Sequence, residues 1–176
     1  VLPPETFVSN GGADLKRQPD NSILASGPSP EQESILVTVQ PELKTITAVR
    51  LDLLTDASLP HQGPGRAHNG NLHLNEVEIR VFPPDAQAGQ KLAISRATAD
   101  FDQAGWTIQH ALDSNPKTAW GIYPKVGVGH YAVFELQSPL TLKPGTRLVV
   151  SLKQVHGGAH LIGRFKLSAT AADQLN

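Results

Sequence analysis

Apolar and polar residues alternate with period two through much of the chain, the pattern of strands that bury one face. Ile35, Val37 and Val39 share a face, with Thr38 and Gln40 opposite. Val49, Leu51 and Leu53 repeat the pattern against Arg50 and Asp52, and Val77, Ile79 and Val81 repeat it against Glu76, Glu78 and Arg80. The same spacing joins Ala132, Phe134 and Leu136, then Leu148, Val150 and Leu152, then Phe165, Leu167 and Ala169. Leu92 to Ile94 reads as a further short strand. Breakers fill the intervals, with 15 glycines and 14 prolines gathered at segments such as Gly63-Pro64-Gly65, Pro83-Pro84 and Pro144-Gly145. No stretch of a dozen residues carries a helical stripe, and Gln109 to Leu112 reads as one turn. At least seven short strands separated by turn signals predict an all-β sandwich or barrel. Residues 1 to 30 are weakly patterned and are expected to wrap an edge of it.

A chain of 176 residues is long enough for a single core that buries roughly 70% of the unfolded surface, so one domain over 1–176 is the expectation. Two connections stand out against the strand pattern. From Thr55 to Asn71 the chain reads TDASLPHQGPGRAHNGN, longer than an ordinary connection and of the length usually found in functional loops. From Ala99 to Gly129 the residues Trp106, Trp120 and Tyr123 fall among turn residues. Sandwiches present such loops together at one end of a rigid scaffold.

Composition narrows the chemistry. The chain is 39% hydrophobic and 18% charged with a net charge of −1, ordinary for a globular domain and without the basic footprint of a nucleic-acid binder. It has no cysteine, which excludes disulfides, thiolate metal sites and a cysteine nucleophile. No apolar run is long enough for a membrane helix. The absence of methionine, an initiator included, reads as a processed or excised piece of something longer. Neither G-x-S-x-G nor G-x-x-x-x-G-K-[ST] occurs, and the strand acids alternate as a solvated face would, so an enzyme is not indicated.

The segment Ala111-Leu112-Asp113-Ser114-Asn115-Pro116-Lys117-Thr118-Ala119-Trp120 resembles the A-x-D-G-N-x-x-T-x-W element of discoidin-like domains and related carbohydrate-binding modules, which are galactose-binding-like jelly rolls. Ser114 stands where that element has glycine. The resemblance implies a structural calcium ion held by Asp113, Thr118 and nearby carbonyls, with the tryptophan packed beneath. Glu76-Val77-Glu78-Ile79-Arg80-Val81-Phe82 loosely matches the family's E-[IVL]-x-V-[YF] strand and adds Glu76 to the candidate ligands. Here that strand precedes the DSNPKTAW element, an order that points to a permuted or rearranged jelly roll. The phrases VRLDLLTDASLPHQGPGRAHNGNLHLNEVEI, ADFDQAGWTIQHALDSNPKTAWGIYP and HLIGRFKLSAT are similar to a domain embedded in large secreted planctomycete cytochrome proteins. That resemblance implies an extracytoplasmic setting, neighbouring domains as partners and a role in polysaccharide use, though no C-x-x-C-H haem motif is present.

The candidate residues each have two readings. Asp113, Asn115 and Thr118 could supply the oxygen ligands calcium prefers, or Asp113 and Asn115 could close the turn through their own backbone. Arg66, His68 and Asn69, with Trp106 and Tyr123, offer forked donors and aromatic faces for a sugar; alternatively, Arg66 and Asn69 hold a long loop together. Among the seven histidines, His156 and His160 are separated by Gly157-Gly158-Ala159, but zinc needs three or four converging ligands, and strand-end histidines read as surface or turn residues. The sequence thus predicts a non-catalytic, calcium-containing carbohydrate-binding module that takes a polysaccharide or glycan. The alternative is a docking domain that organises a larger secreted protein.

Overall fold

In the computed structural model, which describes residues 1–173, the strands are β1 (Pro4–Ser9), β2 (Asp14–Arg17), β3 (Ile23–Ser26), β4 (Glu33–Val39), β5 (Thr45–Leu53), β6 (His73–Leu74) and β7 (Glu76–Phe82). They continue as β8 (Gln90–Lys91), β9 (Ile94–Ala99), β10 (Trp120–Gly121), β11 (His130–Thr141), β12 (Arg147–Gln154) and β13 (Arg164–Thr170). One sheet runs β1-β4-β12-β7-β8, a second runs β2-β3-β13-β5-β11-β9, and β6 pairs with β10 as a short ribbon. The pairings are antiparallel. The chain is an all-β sandwich.

The alternation explains the packing. Ile35, Val37 and Val39 of β4, Leu148, Val150 and Leu152 of β12, and Val77, Ile79 and Val81 of β7 are buried from one sheet. Val49, Leu51 and Leu53 of β5, Ala132, Phe134 and Leu136 of β11, and Phe165 and Leu167 of β13 are buried from the other. Period-two side chains of two facing sheets interdigitate to make one core, and each fully buried Leu, Ile or Phe contributes roughly 1.5 to 3 kcal/mol.

Two stretches differ from their sequence reading. Leu92 is not in a strand: it lies in the break between β8 and β9, where the chain leaves the first sheet for the second. Ile94 then opens β9 on the opposite sheet. Within residues 1–30, three strands form, with β1 and β2 at the sheet edges. The helical turn read at Gln109–Leu112 is a 3-10 turn over Ile108–Leu112, and a second covers Pro60–Gln62. Among the described residues, no helix is long and apolar enough to cross a membrane.

At the end of the sandwich where β5 and β12 finish and β11 and β13 begin, three connections gather: residues 54–72, 100–129 and 155–163. The β6–β10 ribbon ties the first two, and the N–H of Arg66 donates to Leu161 O at 2.8 Å, tying the first to the third.

Candidate functional site

The gathered loops are ordered by specific contacts. At Gly65 a Cβ would sit 1.9 Å from Asn71 O, so only glycine lets residues 65–71 fold back on themselves. Asn71, 2% exposed, accepts from the N–H groups of Ile122 and Tyr123 through Oδ1 at 3.1 and 3.2 Å. Its Nδ2 donates to Gln103 Oε1 at 3.0 Å. One buried amide thereby joins residues 71, 103 and 122–123, and an amide so placed is worth keeping because its loss would orphan several buried groups.

His73 pairs with Gly121 across the ribbon. A Cβ at Gly121 would lie 2.7 Å from both Cδ2 and Nε2 of His73, so that glycine makes room for the imidazole. On the third loop, Gly157, Gly158 and Ala159 all take positive φ, which turns the chain tightly and returns His160 toward His156. The ring of His73 stacks on Trp106 with centroids 4.4 Å apart and on His160 at 4.7 Å, and meets His156 edge-on at 4.0 Å. Burial, then the neighbouring His156 and His160, push the His73 pKa down to about 4, and burial followed by His160 lowers that of His156. Both imidazoles are therefore neutral near pH 7.

The residues expected to contact sugar divide. Trp106 is half-buried in the histidine cluster, and Tyr123, 46% exposed, sits beside it through Gln103, whose Oε1 accepts from the Tyr123 N–H at 3.3 Å. The Nε2 donor of Gln103 has no partner among the described residues. Arg66 turns away, donating from Nη1 to Pro28 O at 3.0 Å and from Nη2 to Gly27 O at 2.9 Å. Asn69 accepts from the Asn71 N–H through Oδ1 at 3.1 Å, an Asx turn. His68 is exposed. Asn71, His73 and Gln103 organise this end, and none of the three is among the residues assigned to sugar or calcium from the sequence. The pair His156 and His160 was visible, but not the partner that meets it.

The candidate calcium residues do come together. Asp113 Oδ1 accepts from the Asn115 N–H at 2.9 Å and Asp113 Oδ2 from the Thr118 hydroxyl, while Asn115 Oδ1 accepts from the Lys117 N–H at 3.0 Å. Ser114 holds φ 57°, so it keeps the left-handed turn that glycine would adopt. Its N–H donates to Glu76 Oε2 at 3.0 Å. Burial, with a smaller contribution from Asp113, raises the Glu76 carboxyl above its ordinary value. The loop carbonyls are committed elsewhere: the buried Asn75 Nδ2 donates to Pro116 O at 3.1 Å and to Thr118 O at 3.0 Å. Lys91 and Lys153 line the same small concavity. The donors thus fit a calcium ion in part, with two carboxylates and a hydroxyl present and two carbonyls already satisfied by an amide.

A concavity of about 610 Å³ lies away from these loops, between Val1–Glu5 and Gln40–Leu43. Prolines and apolar side chains line it together with Glu5, Arg17 and Glu42, and none of the candidate residues does.

No family model and no curated protein matches the chain. Among solved structures it is similar to CBM32-3 from a family 31 glycoside hydrolase of Clostridium perfringens, at 14% identity over 96% of this chain and 89% of that one, with a TM-score of 0.37. It is also similar to a variant of CBM29-2, a family 29 carbohydrate-binding module, at 9% identity over 88% and 94%, with a TM-score of 0.22. A likeness this distant says nothing of a ligand.

Proposed function

We propose that the chain is a non-catalytic carbohydrate-binding module, with a saccharide lying across Trp106 and Tyr123 at the loop end of the sandwich. The observation that carries this reading is the placement of those two rings on ordered loops around Gln103. A sugar ring needs an apolar face to lie on and amide or imidazole donors for its hydroxyls. Trp106, Tyr123, Gln103 Nε2 and the exposed His156 supply both kinds. A shallow patch of this sort buries little area, so weak affinity in roughly the tens of micromolar to millimolar range is expected. An extracytoplasmic setting belongs to the same proposal.

A glycan array followed by calorimetry tests it. Binding that is lost in Trp106→Ala and weakened in Tyr123→Ala supports the site, whereas a folded sample that binds no glycan sinks it. The second reading, a docking domain for neighbouring domains, is favoured by the engagement of Arg66 with Gly27 O and Pro28 O and of Asn69 with the Asn71 N–H, which commits both side chains to structure. It predicts saturable contact with an adjoining domain and no saccharide binding.

Calcium enters this proposal as a weak ligand of Glu76, Asp113 and Thr118. An ion there would relieve the crowding of Glu76 by Asp113, but Pro116 O and Thr118 O each already spend one lone pair on the Asn75 amide, which holds them in place. Affinity of the millimolar class seen in extracellular modules is expected. Calorimetric titration of calcium into chelator-treated protein measures it, and tight submicromolar binding would contradict the role given to Asn75.

A further inference from the structure

We propose that His73, His156 and His160 form a binding site for a late first-row divalent transition-metal ion of the zinc or copper kind. One ring nitrogen from each lies within 4.8 Å of those from the other two. Three imidazoles brought together from two separate loops are unusual packing material, since each carries a polar nitrogen that needs a partner. His73 is 3% exposed and its Nδ1 has no hydrogen-bond partner. A buried nitrogen left without a partner is costly, and a metal bond would satisfy it.

The surrounding contacts leave one nitrogen of each ring to a ligand. Gln103 Oε1 and Asn71 Nδ2 both face His73 Nε2 at 3.4 Å, whereas His73 Nδ1 meets no hydrogen-bond partner. Gly157 O accepts from His160 Nδ1 at 2.9 Å, which leaves His160 Nε2 free. Ligating histidines are commonly oriented in this way, through a carbonyl on the other nitrogen. Trp106 lies flat on His73 and edge-on to His156 at 4.9 Å, walling the cluster with an apolar ring. Among the described residues no carboxylate joins the set. Three imidazoles suit zinc, copper or nickel, while calcium and magnesium prefer oxygen.

In a tetrahedral zinc site, bonds of about 2.0 to 2.1 Å put the ligand nitrogens roughly 3.3 Å apart. Closing to that distance falls to the exposed His156 and the half-buried His160, on either side of Gly157 and Gly158. His73 stays fixed by β6. Three protein ligands leave a fourth position open to water or to a ligand.

Chelator-treated full chain titrated with zinc in a calorimeter is expected to show one ion per chain with a dissociation constant in the micromolar range or tighter. Cobalt should give visible ligand-field absorption, and copper should quench the fluorescence of Trp106, a signal that Trp106→Phe removes without removing binding. Because His73 is buried and its loss threatens the fold, the exposed His156 and the half-buried His160 carry the test: His156→Ala and His160→Ala should each weaken binding at least tenfold while circular dichroism shows the sandwich still folded. Absence of heat, or affinity retained in the double variant, overturns the proposal. Retained affinity would place the ion outside this cluster. The zinc titration is run without saccharide, so its failure leaves the glycan reading standing; His156 is shared with the saccharide patch, and His160→Ala is the variant that separates the two sites.

Discussion

Asn75→Ala is the sharpest perturbation of the loop that joins the two halves of the site. The side chain is 1% exposed. It donates to Pro116 O at 3.1 Å and Thr118 O at 3.0 Å, and accepts from the Val155 N–H at 2.7 Å. Truncation removes three hydrogen bonds, each worth about 1 kcal/mol, and water can reach the exposed Pro116 carbonyl more easily than the other two groups. The expected loss is about 2 to 3 kcal/mol, which for a chain of this size lowers the melting temperature by roughly 5 to 10 °C. Thermal unfolding followed by circular dichroism, with and without chelator, measures it. A fall of less than about 2 °C would show that the amide is not what closes residues 113–118. Asn75→Asp sharpens the test: it sets a third carboxylate beside Glu76 and Asp113 against two carbonyls, so it should be destabilised in chelator and restored by calcium. If calcium restores nothing, the oxygen atoms do not converge as described.

Three further outcomes follow from particular contacts. Ser114→Gly should stabilise the chain by about 0.5 to 1 kcal/mol in denaturant titration, because Ser114 holds φ 57°, a left-handed conformation costly for a residue with a Cβ. Arg66→Ala should cost about 1 to 2 kcal/mol through the lost bonds to Gly27 O and Pro28 O, and leave any saccharide affinity unchanged in calorimetry. Asp20 and Asp56 have carboxyls lowered first by the Ser22 and Ser58 hydroxyls; their contribution is present above the ordinary value of 3.8 and is lost as pH falls through the lowered folded values. Melting temperature should therefore drop below about pH 4, less steeply in the Ser22→Ala, Ser58→Ala double variant, and an unchanged slope there would refute the assignment.

The two sheets were legible because period-two alternation along β4, β5, β7, β11, β12 and β13 is the same physical fact as their one-sided burial. Leu92–Ile94 misled for a physical reason: Leu92 and Ile94 are half-buried on either side of an exposed Ala93 where the chain crosses between the sheets, and periodicity cannot tell a crossing from a strand. The edge strands β1 and β2 were faint because an edge strand with few buried positions carries little alternation; β2 has no fully buried residue.

At the site, the local turn of Asp113 to Thr118 could be read because its partners lie within a few residues of one another. The histidine cluster could not. His156 and His160 were noticed for their spacing, but His73 sits in Leu72-His73-Leu74-Asn75, where every position is buried, so no alternation marks the imidazole as facing a ligand. What places it is the ribbon with Gly121, a contact between loops whose register no local pattern specifies. The same reason hid the roles of Asn71 and Asn75: each is a buried amide whose partners come from other loops, and Asn71, next to Gly70, reads first as a turn. Sites assembled from several connections are thus specified by the buried polar groups that tie the connections together, and those groups become recognisable only when their partners are seen.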